Sequence, residues 1–251
     1  MNDSSIDVTN MTVAFGHKHA LSSISLSIKS GEQIALIGPS GAGKTTFLNS
    51  LAALTVPTEG EIALIGQNVR NMKDPKRRAK TIGMIRQQFD LVNELPVIHN
   101  VLAGRLSEWG LLKSLLSLVF PQEKQAAIQA LKKVGLADKL YTKTGLLSGG
   151  EQQRVAMARL LLQNPAIILA DEPVASLDPA RSEDLLQMLI KLAAEGNQTL
   201  IASLHSVDFA LTYFSRIIAL KNGKLFFDLK NNEITKDRLS ELYAIEEEQN
   251  D

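Results

Sequence analysis

The sequence predicts an α/β fold carrying a helical insert, and three observations predict it. A short apolar run, Gln33 to Ile37, leads into a glycine-rich loop and then a helix-forming stretch. The segment from about Phe89 to Gln163 has almost no β signal. From Ala166 onward strand-like and helix-like stretches alternate again, as in a sheet with crossover helices. At 251 residues the chain suits one large α/β domain, or a domain with a subdomain.

The elements follow in order. Ile6, Val8, Met11, Val13 and Phe15, then Ile24, Leu26 and Ile28, alternate with a period near two, which predicts strands with one buried face. After the turn Ser30-Gly31-Glu32, the run 33–37 reads as a central strand buried on both faces. Thr45 to Leu54 reads as a helix, Glu61 to Ile65 as a strand, Asp74 to Lys80 as a solvated helix and Ile82 to Ile85 as a strand ending at Arg86-Gln87-Gln88. Within the insert, Glu123 to Val134 carries Ala127, Ile128, Leu131 and Val134 on one helical stripe, stopped by Gly135. Later come a strand at 166–170, a helix at 180–194, a strand at 199–204, a helix at 207–214 and a hairpin from Arg216 to Asp228 through Lys221-Asn222-Gly223. The tail, 246–251, is acidic and is expected to fray.

Composition narrows the function classes. Apolar residues make up 45% of the chain, enough for a substantial core, and 27 Lys and Arg balance 27 Asp and Glu. A zero net charge gives no electrostatic reason to expect a nucleic-acid partner. With no cysteine, disulfides and thiolate metal sites are excluded. The N-terminus, Met1-Asn2-Asp3-Ser4-Ser5, does not read as a signal peptide. No apolar stretch approaches the roughly 18 residues that span a bilayer; the nearest, Leu111 to Phe120, is short and contains Lys113. Work at a membrane would need another chain to supply the membrane part.

Three motifs carry chemistry. Gly38-Pro39-Ser40-Gly41-Ala42-Gly43-Lys44-Thr45, followed by Thr46, is a complete P-loop. Its glycines let backbone N–H groups turn toward phosphate oxygens, and the next helix offers its N-terminus to the same anion. Lys44 is placed to reach the β- and γ-phosphates and Thr45 to bind Mg²⁺. Asp171-Glu172 ends an apolar run, which puts both carboxylates where open parallel sheets hold ligands. Asp171 is expected to hold Mg²⁺ through water, and Glu172 to polarise the attacking water. Ser148-Gly149-Gly150-Glu151 pairs a helix-capping serine with two glycines that let a ligand come close. One ATP does not need two anion-binding helix ends in the same chain, so each ATP is expected to lie between the P-loop of one subunit and the Ser148 segment of another.

This order of motifs resembles the ATP-binding subunits of ABC (ATP-binding cassette) systems, from about Ile6 to about Phe227. The resemblance implies a P-loop NTPase (RecA-like) core with an N-terminal antiparallel β subdomain and an inserted α-helical subdomain. Residues 1–88 and 164–251 would form the nucleotide-binding core, and 89–163 the helical part with the signature motif. It further implies that Gln87 is the Q-loop glutamine, sensing the metal, with Gln88 the alternative. Ser176, Leu177 and Asp178 would form the D-loop. His205 would be the switch histidine on the γ-phosphate, and Phe15 the aromatic that stacks on adenine, with core packing the alternative for Phe15. Arg86 stands where the family usually has an aromatic, and Phe15 where tyrosine is commoner.

The implied activity is ATP hydrolysis with Mg²⁺ in a homodimer that closes around two ATP and opens after hydrolysis. The leading expectation is an importer motor at the cytoplasmic face of the inner membrane. It would work with separate permease subunits and, indirectly, a substrate-binding protein, and without nucleic acid. Asn100 to Arg105, Trp109, Ser114-Leu115-Leu116, Phe120-Pro121, Ala170 to Pro179 and Leu204 to Asp208 together resemble the ATPase subunits of phosphonate and phosphite importers. Ser206 stands where that subfamily often has glutamine. The alternatives are importers of other small polar solutes, a lipoprotein-release ATPase and, in another class, a soluble ABC ATPase of an assembly system. A P-loop nucleotide kinase leaves the segment 148–152 unexplained.

Overall fold

A computed structural model describes residues 4–86, 88–175 and 178–244. Gln87, Ser176, Leu177 and the acidic tail lie outside the described residues.

Two sheets form the body. The first is antiparallel, in the order β2-β1-β4-β5, from β1 (Ser4–Phe15), β2 (Lys18–Lys29), β4 (Glu59–Leu64) and β5 (Gln67–Asn68). Its period-two pattern works as expected: Ile6, Val8, Met11, Val13, Ile24 and Ile28 are buried. The second sheet runs β10-β9-β3-β8-β7-β6. Here β3 (Gln33–Ile37), β6 (Ile82–Ile85), β7 (Ile167–Ala170), β8 (Thr199–Ser203) and β9 (Arg216–Lys221) are parallel, and β10 (Lys224–Lys230) pairs antiparallel with β9. Helices cover this sheet, so β7 and β8 are buried at every position. That is why they read as continuous apolar runs rather than alternations.

Helix α1 (Lys44–Leu51) follows β3 and buries Phe47, Leu48 and Leu51 beneath the antiparallel sheet. Burying each such side chain is worth about 1.5–3 kcal/mol, which fixes where the N-terminus of α1 points. The helix is shorter than the expected 45–54, because Ala53 turns to a left-handed φ of 58°. Helix α2 (Pro75–Thr81) starts at Asp74, whose side chain accepts from the N–H of Lys76.

Among the described residues, 88–163 is helical: α3 (Val97–Leu102), α4 (Leu111–Val119), α5 (Lys124–Lys133) and α6 (Gly149–Gln163). The stripe on α5 buries Ala127 and Leu131, and Gly135 at φ 73° follows its end. Val97, Val101, Leu131, Val155 and Ala158 belong to the same apolar cluster as β7 and β8, so the insert packs as a continuation of the core. The remaining helices are α7 (Pro179–Glu195), α8 (Val207–Tyr213) and α9 (Lys236–Tyr243). No sequence pattern described above marks α3, α4 or α9 individually. None of the described helices is long and apolar enough to cross a membrane.

Candidate nucleotide site

The loop between β3 and α1 borders a cleft of about 680 Å³. Ser40 to Thr46 line one side, with Phe15, Lys18, His19, Glu172, His205 and Asn222-Gly223 around them. Two glycines show why the loop has this sequence. A Cβ on Gly38, at φ 148°, would sit 2.1 Å from the carbonyl oxygen of Leu220. One on Gly43, at φ 100°, would sit 2.6 Å from Leu21 Cδ2. Gly43 occupies the N-cap position of α1 and supplies no side chain to cap it, which leaves that helix end open to an external anion. The turn of the β9–β10 hairpin braces the loop, with Gly223 N–H donating to the Ala42 carbonyl at 3.2 Å.

Lys44 is only 6% exposed. Its Nζ donates to the carbonyls of Gly38 (2.7 Å) and Pro39 (3.1 Å). Burial holds its pKa below the usual lysine value, opposed by the charges of Glu172 and Asp171. An incoming polyphosphate would relieve that burial cost by supplying counter-charge.

The two carboxylates differ. Asp171, at the end of β7, is buried. Its Oδ1 accepts from Ser203 Oγ at 2.8 Å and from Thr45 Oγ1 at 3.3 Å. Glu172 has a left-handed φ of 50°, a conformation that costs a non-glycine residue about 1–3 kcal/mol. Its N–H is held by Ser203 Oγ at 2.8 Å, and its carboxylate meets His205 Nε2 at 2.5 Å. Ser203, fully buried at the end of β8, therefore orients both acidic residues. Sequence reasoning passed over it because it closes an otherwise apolar strand without a motif of its own.

Phe15 is 59% exposed at the rim of the cleft. The core-packing alternative is therefore overturned: Phe15 ends β1, two residues beyond Val13, the last buried position of the strand. Ser206, the departure noted after His205, caps α8, its Oγ accepting from the N–H of Phe209 at 3.2 Å. Asp178 caps α7, accepting from the N–H of Arg181 at 3.1 Å. Tyr243, at the end of α9, reaches the start of the loop. Burial pushes its phenol pKa up, opposed by a hydrogen bond from the Gly38 N–H. No motif in the sequence marks this contact.

Ser148 lies elsewhere. It begins α6 in a full capping box: its Oγ accepts from the Glu151 N–H at 3.4 Å, and its own N–H donates to Glu151 Oε2 at 2.9 Å. Ser148 Oγ also donates to Glu151 Oε2 at 3.0 Å. These bonds hold the Glu151 carboxyl below its usual range. Ser148, Gly150 and Glu151 line a smaller cleft with Arg154, Arg181, Asp184 and Leu185. None of these residues borders the P-loop cleft.

The profile described as ABC transporter matches residues 21–175, well over half of the chain. The chain belongs to this family. A phosphonates import ATP-binding protein, PhnC, of Pseudomonas fluorescens is 43% identical over 230 residues, covering 91% of this chain and 87% of that one. Its counterpart in a Nostoc species is 40% identical, covering 95% and 92%. Among solved structures, the dimeric cassette MJ0796 in a post-hydrolysis state with ADP and phosphate superposes with a TM-score of 0.75 at 34% identity, covering 91% of this chain and all of that one. The ADP form of the cassette MJ1267 gives 0.82 at 26% identity, covering 96% and 98%. The fold is that of the ABC ATPase cassettes: a P-loop core, an antiparallel sheet and a helical insert.

Proposed function

We propose that this chain is the ATP-hydrolysing motor of an importer, taking up phosphonate or phosphite through separate permease subunits. The carrying observation is that the chain has two glycine-flanked helix ends suited to an anion, one at Lys44 and one at Ser148, in clefts that share no residue. Two copies arranged head to tail would bring the P-loop of each against the Ser148 segment of the other, with two ATP between them.

Within each site, Lys44 and the loop N–H groups, with Ser40 to Thr46 around them, would bind the phosphates, and Phe15 would stack on the base. Ser148 and Gly150 of the second copy would close on the γ-phosphate. Glu172 would orient the attacking water and hold its proton. His205, paired with Glu172, would keep that carboxylate in place and reach the γ-phosphate. Gln87 would sense the metal, and Ser176, Leu177 and Asp178 would form the D-loop. Catalysis of this kind is positioning and charge stabilisation.

Mg²⁺ fits the residues present. Thr45 and Asp171 offer hard oxygen donors 3.3 Å apart, and no cluster of three acidic or histidine ligands exists among the described residues. Mg²⁺ commonly takes one or two protein oxygens and completes its shell with phosphate and water. Bound there, it would neutralise charge on the β- and γ-phosphates.

Phosphonate or phosphite as the cargo rests on the 40–43% identity to the phosphonates import proteins and on the 100–121 pattern in the insert. The test is ATPase activity of the chain reconstituted with its permease and binding protein. Stimulation by phosphonate or phosphite supports the reading. Stimulation by another solute alone keeps the importer motor and removes the cargo, and a soluble assembly partner in place of a permease removes both.

A further inference from the structure

Helix α4 is amphipathic the wrong way round. At 100° per residue, Leu112, Leu115, Leu116 and Val119 share one side, flanked by Leu111, Leu118 and Phe120. These seven side chains are between 49% and 79% exposed. The polar side faces the body: Ser117 is 5% exposed and its Oγ accepts from the Gln122 N–H at 3.3 Å. Ser114 Oγ donates to the Gly110 carbonyl at 3.1 Å. A surface helix normally turns its apolar side inward, and monomers seldom leave a contiguous apolar patch beyond roughly 300–600 Å² open. The outward arc of α4 therefore has an occupant.

We infer that this occupant is the surface of an anionic lipid bilayer, with α4 lying along the headgroup–acyl boundary. The inference rests on the import reading, which sets the chain beside a membrane. Three observations favour lipid. The seven residues of the arc carry no polar side-chain atom, whereas protein interfaces hold about one hydrogen bond per 100–200 Å². The charge is complementary: residues 101–146 contain seven Lys or Arg against three Asp or Glu, in a chain whose 27 basic and 27 acidic residues balance overall. Basic segments of this kind are drawn to anionic leaflets. Tyr141 is exposed, and Lys124 Nζ lies 5.2 Å from its ring. Aromatic rings beside cations are typical of the membrane interface.

The experiment is flotation of the purified full chain with vesicles of phosphatidylethanolamine and phosphatidylglycerol, and with purely zwitterionic vesicles. It is run for wild type and for the triple variant Leu112→Ser, Leu116→Ser, Val119→Ser. These positions are exposed, so melting temperature and basal ATP hydrolysis serve as controls for folding. The expected result is flotation of wild type with anionic vesicles, weakened by salt, and about tenfold or greater loss in the variant. Equal flotation of wild type and variant, or no flotation with any vesicle, overturns the inference. So does a variant that keeps vesicle binding but loses its permease in detergent, which would assign the arc to protein. Vesicle binding needs neither permease nor cargo. A chain that floats but does not respond to phosphonate or phosphite would remove the cargo reading and leave this one standing.

Discussion

The two glycine-flanked helix ends, at Lys44 and at Ser148, solve opposite problems. The end of α1 has no side-chain cap and a buried lysine whose ammonium donates to the Gly38 and Pro39 carbonyls. The end of α6 is satisfied from within by Ser148 and Glu151. The first is built to be incomplete without an anion. The second is stable alone and must loosen its Ser148–Glu151 contact before the hydroxyl can turn to a phosphate. On the proposed reading, the open end would bind nucleotide in a single copy, while the capped end would engage only when a second copy presents nucleotide to it.

The largest expected effect lies on the open side. Glu172→Gln should lower turnover by about 10²–10⁴-fold while ATP binding persists and closed dimers accumulate, seen by size-exclusion chromatography with ATP. Unchanged steady-state turnover would sink the assignment of Glu172. Lys44→Ala should cost about 10²–10³-fold and, unlike Glu172→Gln, weaken nucleotide binding itself, read by calorimetry.

A mixing experiment sharpens the comparison. Inactive Lys44→Ala and Ser148→Ala chains should regain activity when combined, because one composite site then has an intact P-loop and an intact Ser148. No recovery would mean that each chain holds a whole site. Ser148→Ala alone should also lower stability by about 1 kcal/mol through loss of the cap.

Ser203→Ala comes next. It leaves the partly buried N–H of Glu172 without its acceptor and removes a donor from Asp171, for about 1–3 kcal/mol of stability and slower hydrolysis. A chain that loses stability but keeps its turnover would make Ser203 purely structural.

The smallest effect is in pH. The folded-state pKa of Glu151 is depressed by the Ser148 hydrogen bonds. Its contribution to stability is complete above the unfolded-state pKa of glutamate and is lost as pH falls through the lower folded value. Thermal melts of wild type should lose this increment in acid, and Glu151→Gln should flatten that part of the profile.

Much of this was legible in the sequence because the cues are local. The P-loop spacing, the Ser148–Glu151 cap, the run before Asp171 and the period-two alternation of β1 and β2 each sit within a few residues, and backbone geometry turns such spacing into structure. The less legible parts depend on neighbours far along the chain. Ser203 acts because β8 lies beside β7. Gly223 braces Ala42 because β9 pairs with β3. Tyr243 reaches Gly38 from the far end of the described chain. Helix α4 drew attention only as a short apolar stretch. Apolar content does not say which way a side faces, and its exposure could be read only after Ser114 and Ser117 were placed against the body.

By itself, then, the sequence determined the α/β class, the helical insert, the phosphate loop and the paired carboxylates, since each is encoded in contiguous residues with one low-energy local conformation. Tertiary structure alone decided that Phe15 stands at the cleft rather than in the core, that Ser203 unites Asp171 with Glu172, that the two helix ends occupy separate clefts, and that α4 turns its leucines outward. Those are facts of packing between distant segments, and the free energy that selects them is spread over the whole buried core.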